Sequence, residues 1–302
     1  KLDRIEEAIE ALRYATELAP EDGEAFANLG TAFEFQGDFI SAASAYCKAL
    51  DLGETAAEIR YGAAVTSRFS GKPDVAVELI EAFAEEYKDN LEIWHLLAVC
   101  RMESGDVVGA ATAFEHLLKT EQNDGSLLGN YAVVLAKLER RDEARAFFSR
   151  AVRKPNVDAS CLLNYGMMPQ EDGKKREALE LYHRAANLDP KCPLICEAFA
   201  KLARRCNENT SVINHLQTTL SKDPTLDFAW FYLAVSLLAI DEKEAGKNAM
   251  EKYLDLDPSD RLGGNLALGH SGAADIPRSS TAAYLKNFLP HSCPKLGSDC
   301  TG

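Results

Sequence analysis

Apolar and small positions return along this chain every 34 residues. Frames counted from Gly23 begin at Gly23, Ala57, Leu91, Gly125, Ala159, Pro193 and Asp227, with no insertion or deletion between them. Position 8 of the frame reads Gly30, Ala64, Ala98, Ala132, Gly166, Ala200 and Ala234. Position 20, counting a partial frame before Gly23, reads Ala8, Ala42, Ala76, Ala110, Ala144, Ala178, Val212 and Gly246. Position 24 is large and apolar throughout: Leu12, Tyr46, Ile80, Phe114, Phe148, Tyr182, Leu216 and Met250. A fixed period of this size is the signature of a repeat array. The spacing predicts two helices per frame. Positions 4, 7, 8 and 11 share a face of the first (helix A); positions 20, 24 and 27 share a face of the second (helix B).

Small residues at 8 and 20 let the two axes approach, and the bulky residue at 24 fills the space beside that contact. Turns are expected near Gly37, Gly71, Gly105, Glu139, Gly173, Asn207 and Asp241. Pro20, Pro190, Pro224 and Pro258 at position 32 stop helix B, and Asp22, Asn90, Asp124, Asp158 and Asp260 at position 34 are placed to cap the next helix A. Three frames depart from the pattern. Arg60 and Ser67 weaken the apolar face of frame 57, and Asn207, Asn209 and Thr219 make frame 193 polar. Pro169 falls inside helix A of frame 159, where proline costs roughly 3 kcal/mol in a regular helix, so that helix is expected to end early or kink near Met168. Lys1 falls at position 13, so the first unit is a B helix alone. With no initiator Met, this suggests a fragment or a trimmed N-terminus.

At these residues the chain resembles the tetratricopeptide repeat (TPR) family. The carrying features are the period, Leu29-Gly30, Ala42, Tyr46 and the position-32 prolines, over residues 1–258, about 85% of the chain. The resemblance implies an all-α solenoid, a right-handed superhelix of helix hairpins: a half repeat at 1–22 and full repeats from 23, 57, 91, 125, 159, 193 and 227. It also implies a concave wall of A helices, with positions 2, 5, 6, 9, 12 and 13 facing or flanking a groove. Position 6 supplies Asn28, Asn130 and Asn164, whose amides offer a donor and an acceptor to an extended peptide backbone. Lys201, Arg204 and Arg205 form a basic patch at positions 9, 12 and 13 of frame 193, suited to gripping a carboxylate and balanced by Glu197. The Lys and Asn pattern of chaperone-tail-binding TPR domains is not matched, since Ala27 and Thr31 stand at positions 5 and 9 of frame 23.

After Pro258 the period fails. Residues 259–268 read as a capping helix, 269–280 as a Gly/Ala/Ser/Pro linker, 281–289 as a short helix and the end as disordered. Asp260-Arg261-Leu262-Gly263, the linker and Ala283-Tyr284 to Phe288 are similar to the connector of bacterial proteins that join TPR arrays to a class I methyltransferase. That resemblance implies a substrate-recruiting arm of an S-adenosylmethionine-dependent enzyme whose catalytic domain is absent from this chain.

Charge and chemistry narrow the function classes. A net charge of −14 disfavours nucleic acid and anionic lipid, and favours a partner with some basic character. No apolar run is long enough to span a bilayer, and the opening KLDRIEEAIEALRYA reads as an amphipathic helix, not a secretory signal. Eight cysteines, several inside helical patterns, read as reduced thiols in a cytoplasmic protein. Gly269-His270-Ser271-Gly272 misses the nucleophile-elbow spacing, and Gly71-Lys72 is followed by Pro73 rather than Ser or Thr. His291, Cys293 and Cys300 match no common zinc spacing. The reading is a non-catalytic protein- or peptide-binding scaffold, with no cofactor and no metal. A third role is assembly, with the open N-terminal end a candidate surface for self-association.

Overall fold

The computed structural model describes residues 2–120 and 124–258. Among them there are fifteen α-helices and no strand, so the protein is all-α. The capping segment and methyltransferase-like connector after Pro258 lie outside the described residues, as do His291, Cys293 and Cys300.

Two compact units divide the chain: residues 1–123 with 131–144, and residues 124–130 with 145–302. Unit 1 contains α1 (Leu2–Leu18), α2 (Gly23–Gln36), α3 (Phe39–Asp51), α4 (Ala57–Phe69), α5 (Pro73–Glu86), α6 (Leu91–Ser104) and α7 (Val107–Leu118). Each helix packs on the next, and alternate helices α2, α4 and α6 also touch. The helices α8 (Gly125–Lys137) and α9 (Arg141–Ala151) contribute residues to both units. Unit 2 continues with α10 (Ala159–Glu171), α11 (Lys175–Leu188), α12 (Pro193–Arg205), α13 (Asn209–Lys222), α14 (Asp227–Leu238) and α15 (Lys243–Leu256). There too neighbours pack in order, with α10, α12 and α14 in mutual succession.

The helix boundaries have visible causes. Asp22, Asn90, Asp124 and Asp158 each accept a backbone N–H from the first turn of the following helix, at 2.6–3.3 Å. Asp38 and Asp106 do the same for the B helices α3 and α7, a capping row that the sequence analysis did not name. All seven A-to-B junctions carry a residue with positive φ: Gly37, Gly71, Gly105 and Gly173, and also Glu139, Asn207 and Asp241 at 60°, 58° and 64°. Glycine adopts that region without penalty; the other three hold it because the register of the array demands a left-handed link.

The core follows the frame. Every described residue at positions 7 and 8 of the seven full frames is buried, and position 24 is buried from Tyr46 to Met250. Where position 24 is tyrosine, position 8 is glycine. A Cβ at Gly30 would stand 2.8 Å from Tyr46 Cδ1, and one at Gly62 of the next A helix 2.9 Å from Tyr46 Cζ, so the ring is wedged between two bare backbones. Gly166 is tighter still, with its Cβ position 2.4 Å from Tyr182 Cε1.

The early helix end expected at Pro169 and the burial expected at Ala8 are not seen, for physical reasons. The helix around Pro169 does not end early: α10 runs to Glu171, with Pro169 buried inside it. The missing N–H of Pro169 costs the helix one bond to the carbonyl four residues earlier, and the Pro169 carbonyl still accepts from Lys174 N at 2.7 Å. Ala8, the position-20 alanine of the leading B helix, is exposed, as are Tyr14 and Leu18. No A helix precedes it among the described residues, and α1 instead buries Ile9 and Thr16 on the neighbouring face.

Candidate functional site

With positions 4, 7, 8 and 11 of each A helix turned into the core, the surface left to these helices is the stripe at 2, 6, 9 and 13. These positions lie on one line because eleven residues is three turns to within about 20°. In α2 the stripe is Glu24, Asn28, Thr31 and Phe35, all exposed. On α4 it runs from exposed Glu58 through Gly62 and half-buried Val65 to exposed Phe69, and on α6 from exposed Glu92 through Leu96 and Val99 to half-buried Glu103. The chemistry is therefore graded along each helix: a carboxylate in the first turn, a shallow floor, and in α2 and α4 an aromatic ring in the last turn.

The Tyr61 hydroxyl on α4 is pushed up by burial first, then by the Glu92 carboxylate on α6 and the Glu34 carboxylate on α2. Glu34 Oε2 accepts the Tyr46 hydroxyl at 2.9 Å, and Tyr46 also meets Thr31 Oγ1 at 3.0 Å. Burial, chiefly, pushes the Tyr46 phenol up to about 12. At the far end, Arg68 grips Glu103 with two bonds of 2.8 and 2.6 Å, and its guanidinium carbon lies 5.0 Å from the Phe69 ring centre. Phe69 stacks on Phe39 at 4.9 Å.

The residues singled out from sequence do not form one constellation. Asn28 is exposed in unit 1, whereas Asn130 and Asn164 are half-buried in unit 2, with Lys201, Arg204 and Arg205. Lys201 Nζ sits 2.6 Å from Glu197 Oε1, and Glu197 is only 6% exposed. The lysine is thus the counter-ion of a buried carboxylate on its own helix rather than an uncommitted cation. Burial and that same carboxylate push the Tyr232 hydroxyl of α14 well up. Arg204 and Arg205 also engage other groups. Sequence reasoning overlooked the carboxylates at position 2 and the rings at position 13. Both recur at fixed frame positions, which was the available signal.

Among the described residues no group of three or more His, Cys, Asp or Glu could hold a metal ion, and no helix is long and apolar enough to cross a membrane. Cys47, Cys100 and Cys161 are free thiols within helices, and burial pushes Cys100 and Cys161 up to about 12, which holds them as inert thiols.

Comparison with known proteins gives a consistent result. Two family models described as tetratricopeptide repeat match residues 67–128, and residues 1–58 with 101–159, together half of the chain. Protein FlbA of Caulobacter vibrioides is 22% identical over 154 residues, which is 50% of this chain and 26% of FlbA. The chain thus spans about a quarter of that relative's length. Yeast Tom70 is structurally similar at a TM-score of 0.60 and 15% identity, over 94% of this chain and 62% of Tom70. A tetratricopeptide repeat protein of Parabacteroides merdae aligns at 0.52 and 15% identity, over 82% of this chain and 98% of that one. Pseudomonas aeruginosa pilF also aligns at 0.52 and 15% identity, over 67% and 92%. At such identities the likeness is one of fold.

Proposed function

Because the chain belongs to the tetratricopeptide repeat family, we propose that it is a non-catalytic scaffold that binds a protein or peptide along the outer stripe of its A helices. The observation that carries this reading is the graded stripe of unit 1. Its first-turn carboxylates and the two rings are exposed, and its polar groups are spread over successive helices instead of converging on one point. Catalysis calls for convergence in a water-excluding pocket; a laid-in chain calls for repetition along a line. In unit 1 the Asn28 amide is free to pair with a ligand backbone. In unit 2 Asn130 and Asn164 offer the same chemistry, and Arg204 and Arg205, with Lys201 already paired to Glu197, give α12 its cationic character. The protein acts in the cytoplasm in this reading, without cofactor or metal.

Selection from a random displayed peptide library on the immobilised full chain tests the proposal. Selected peptides are retested by fluorescence anisotropy against Asn28→Arg, Val65→Arg and a control, Glu78→Arg, on the exposed side of α5. Loss of binding in the first two with retention in the third is the expected result. Peptides indifferent to both stripe variants and to Lys201→Glu/Arg204→Glu, or no selectable peptide at all, overturn it.

A further inference from the structure

We infer that the A-helix stripe of unit 1 receives an amphipathic α-helix of a partner protein, its apolar side on Phe35 and Phe69 and its Lys/Arg side facing Glu24, Glu58 and Glu92. This rests on the proposed binding role of the stripe and adds the chemical class of the partner.

The argument begins with the rings. Phe35 is 76% exposed and Phe69 56%, at the same frame position of adjacent A helices in contact. Phe69 is braced by Phe39 on α3 and by Arg68, so it is held as a fixed platform rather than swinging in water. Exposed aromatic surface, fixed and repeated at one register, is what a partner's apolar side chains cover. The row of rings ends at α6, where Glu103 takes the position; the bidentate contact from Arg68 neutralises that carboxylate, so the apolar end of the stripe is not bordered by an open charge.

The opposite end of each helix carries the second half of the argument. Glu24, Glu58 and Glu92 stand at position 2 of three successive A helices and are exposed. Each is in the first turn, where a carboxylate is favoured by the helix dipole. None of the three side chains takes part in an ion pair or hydrogen bond among the described residues. The row therefore presents uncompensated negative charge, and its complement is cationic.

Geometry selects a helix as the occupant. Eleven residues separate a position-2 carboxylate from a position-13 ring on one A helix, roughly 16 Å along its axis. A helix with side chains is about 10–12 Å across, so laid over the three A helices it reaches both rows at once. Its basic face meets one row and its apolar face the other. Adjacent packed helices lie roughly 10 Å apart, which is about seven residues of rise in the bound helix. The expected partner segment thus repeats Lys or Arg near every seventh residue on one face, with Leu, Phe or Met opposite. A second copy of this chain is a poorer complement, since α1 carries Glu6, Glu7, Glu10 and Glu17 against Arg4 and Arg13.

The test uses a designed amphipathic 21-residue helix with Lys on one face and Leu/Phe on the other, and the full chain. Controls are the same composition scrambled, the same helix with Glu for Lys, and an extended peptide alternating Lys and Leu. Anisotropy is expected to show saturable binding of the first helix only, weakening as salt rises. Phe35→Ala/Phe69→Ala and Glu24→Gln/Glu58→Gln/Glu92→Gln should each reduce affinity by about tenfold or more. All five residues are exposed, and unchanged circular dichroism confirms that the variants fold. Equal binding of the scrambled or alternating peptide overturns the helical occupant. Equal binding of the Glu helix, or indifference to the Gln variant, overturns the charge assignment. If library-selected peptides still bind the stripe while the designed helix does not, this inference falls and the binding role of the stripe survives. If sedimentation shows a dimer of the full chain that Phe35→Ala/Phe69→Ala dissolves, the occupant is a second copy and the inference is also wrong.

Discussion

Gly166→Ala puts opposing principles into direct competition. Gly166 lies in the interior of α10, where alanine is favoured over glycine by about 1 kcal/mol on helix propensity alone. The Cβ would stand 2.4 Å from Tyr182 Cε1 and 2.7 Å from Cδ1, distances that require movement. The Tyr182 ring is 2% exposed, and its hydroxyl meets Gln170 Oε1 at 3.3 Å, so it has no open direction in which to swing. Overpacking of this kind costs about 1–3 kcal/mol, and the net expectation is a loss of up to about 2 kcal/mol. The array itself suggests the rescue. In frame 193 the corresponding pair is Ala200 with Leu216, both buried. Tyr182→Leu should therefore be less harmful in the Gly166→Ala background than alone, with a favourable coupling of about 1–2 kcal/mol in a double-mutant cycle. Urea unfolding followed by circular dichroism reads the global effect. Hydrogen exchange at α10 and α11 reads the local one, because repeat arrays open in pieces. A Gly166→Ala protein more stable than its parent, or a coupling of zero, would show that the ring is not wedged and that the tyrosine–glycine pairing has no packing cause.

Three further outcomes follow from the same structure. Ala110→Leu, at a site with no exposure on α7, should destabilise by about 1–3 kcal/mol in thermal unfolding; a neutral result would mean that the position-20 contact is not close. Glu139→Gly should raise the free energy of unfolding in urea by up to about 1 kcal/mol, because Glu139 holds φ at 60° where glycine is unstrained; a decrease would mean that glycine's extra unfolded-state entropy outweighs the strain. Asp158 is a half-buried cap whose pKa is raised by desolvation, with Asp124 adding to the shift. Its folded form holds its proton more tightly than the unfolded chain does, so its contribution to stability declines as pH rises from the unfolded pKa through the folded one. Asp158→Asn keeps the acceptor for Cys161 N and should match or exceed the parent in melting temperature at pH 7, the difference narrowing below pH 4, while Asp158→Ala should lose about 1 kcal/mol. Equal losses in the two variants would contradict that assignment.

Much of the fold was legible because a repeat states its packing rule seven times. Glu139, Asn207 and Asp241 were placed at turns by register alone, although their residue types do not announce a left-handed link. Pro169 misled because the local rule counts only the bond that proline removes, whereas this proline is also buried in the array's core. Ala8 misled because the rule assumes a partner helix. The site was read less well for a related reason. Lys201 looks like a surface cation in sequence; that it answers a buried Glu197 follows from how deeply α12 is set among its neighbours. The rows at positions 2 and 13 are plain in the aligned frames, yet only the solvent exposure of Glu24, Glu58, Glu92, Phe35 and Phe69 separates them from other recurring residues.

The central claim is that the A-helix stripe, and no other face, is where this protein meets a partner. Hydrogen exchange measured by mass spectrometry on the full chain, with and without a saturating selected peptide, tests it most directly. Slowed exchange confined to α2, α4 and α6 in unit 1, or to α10 and α12 in unit 2, with the B helices unchanged, is the predicted footprint. Protection centred on the outward faces of α3, α5 and α7, or on α1 alone, would contradict it.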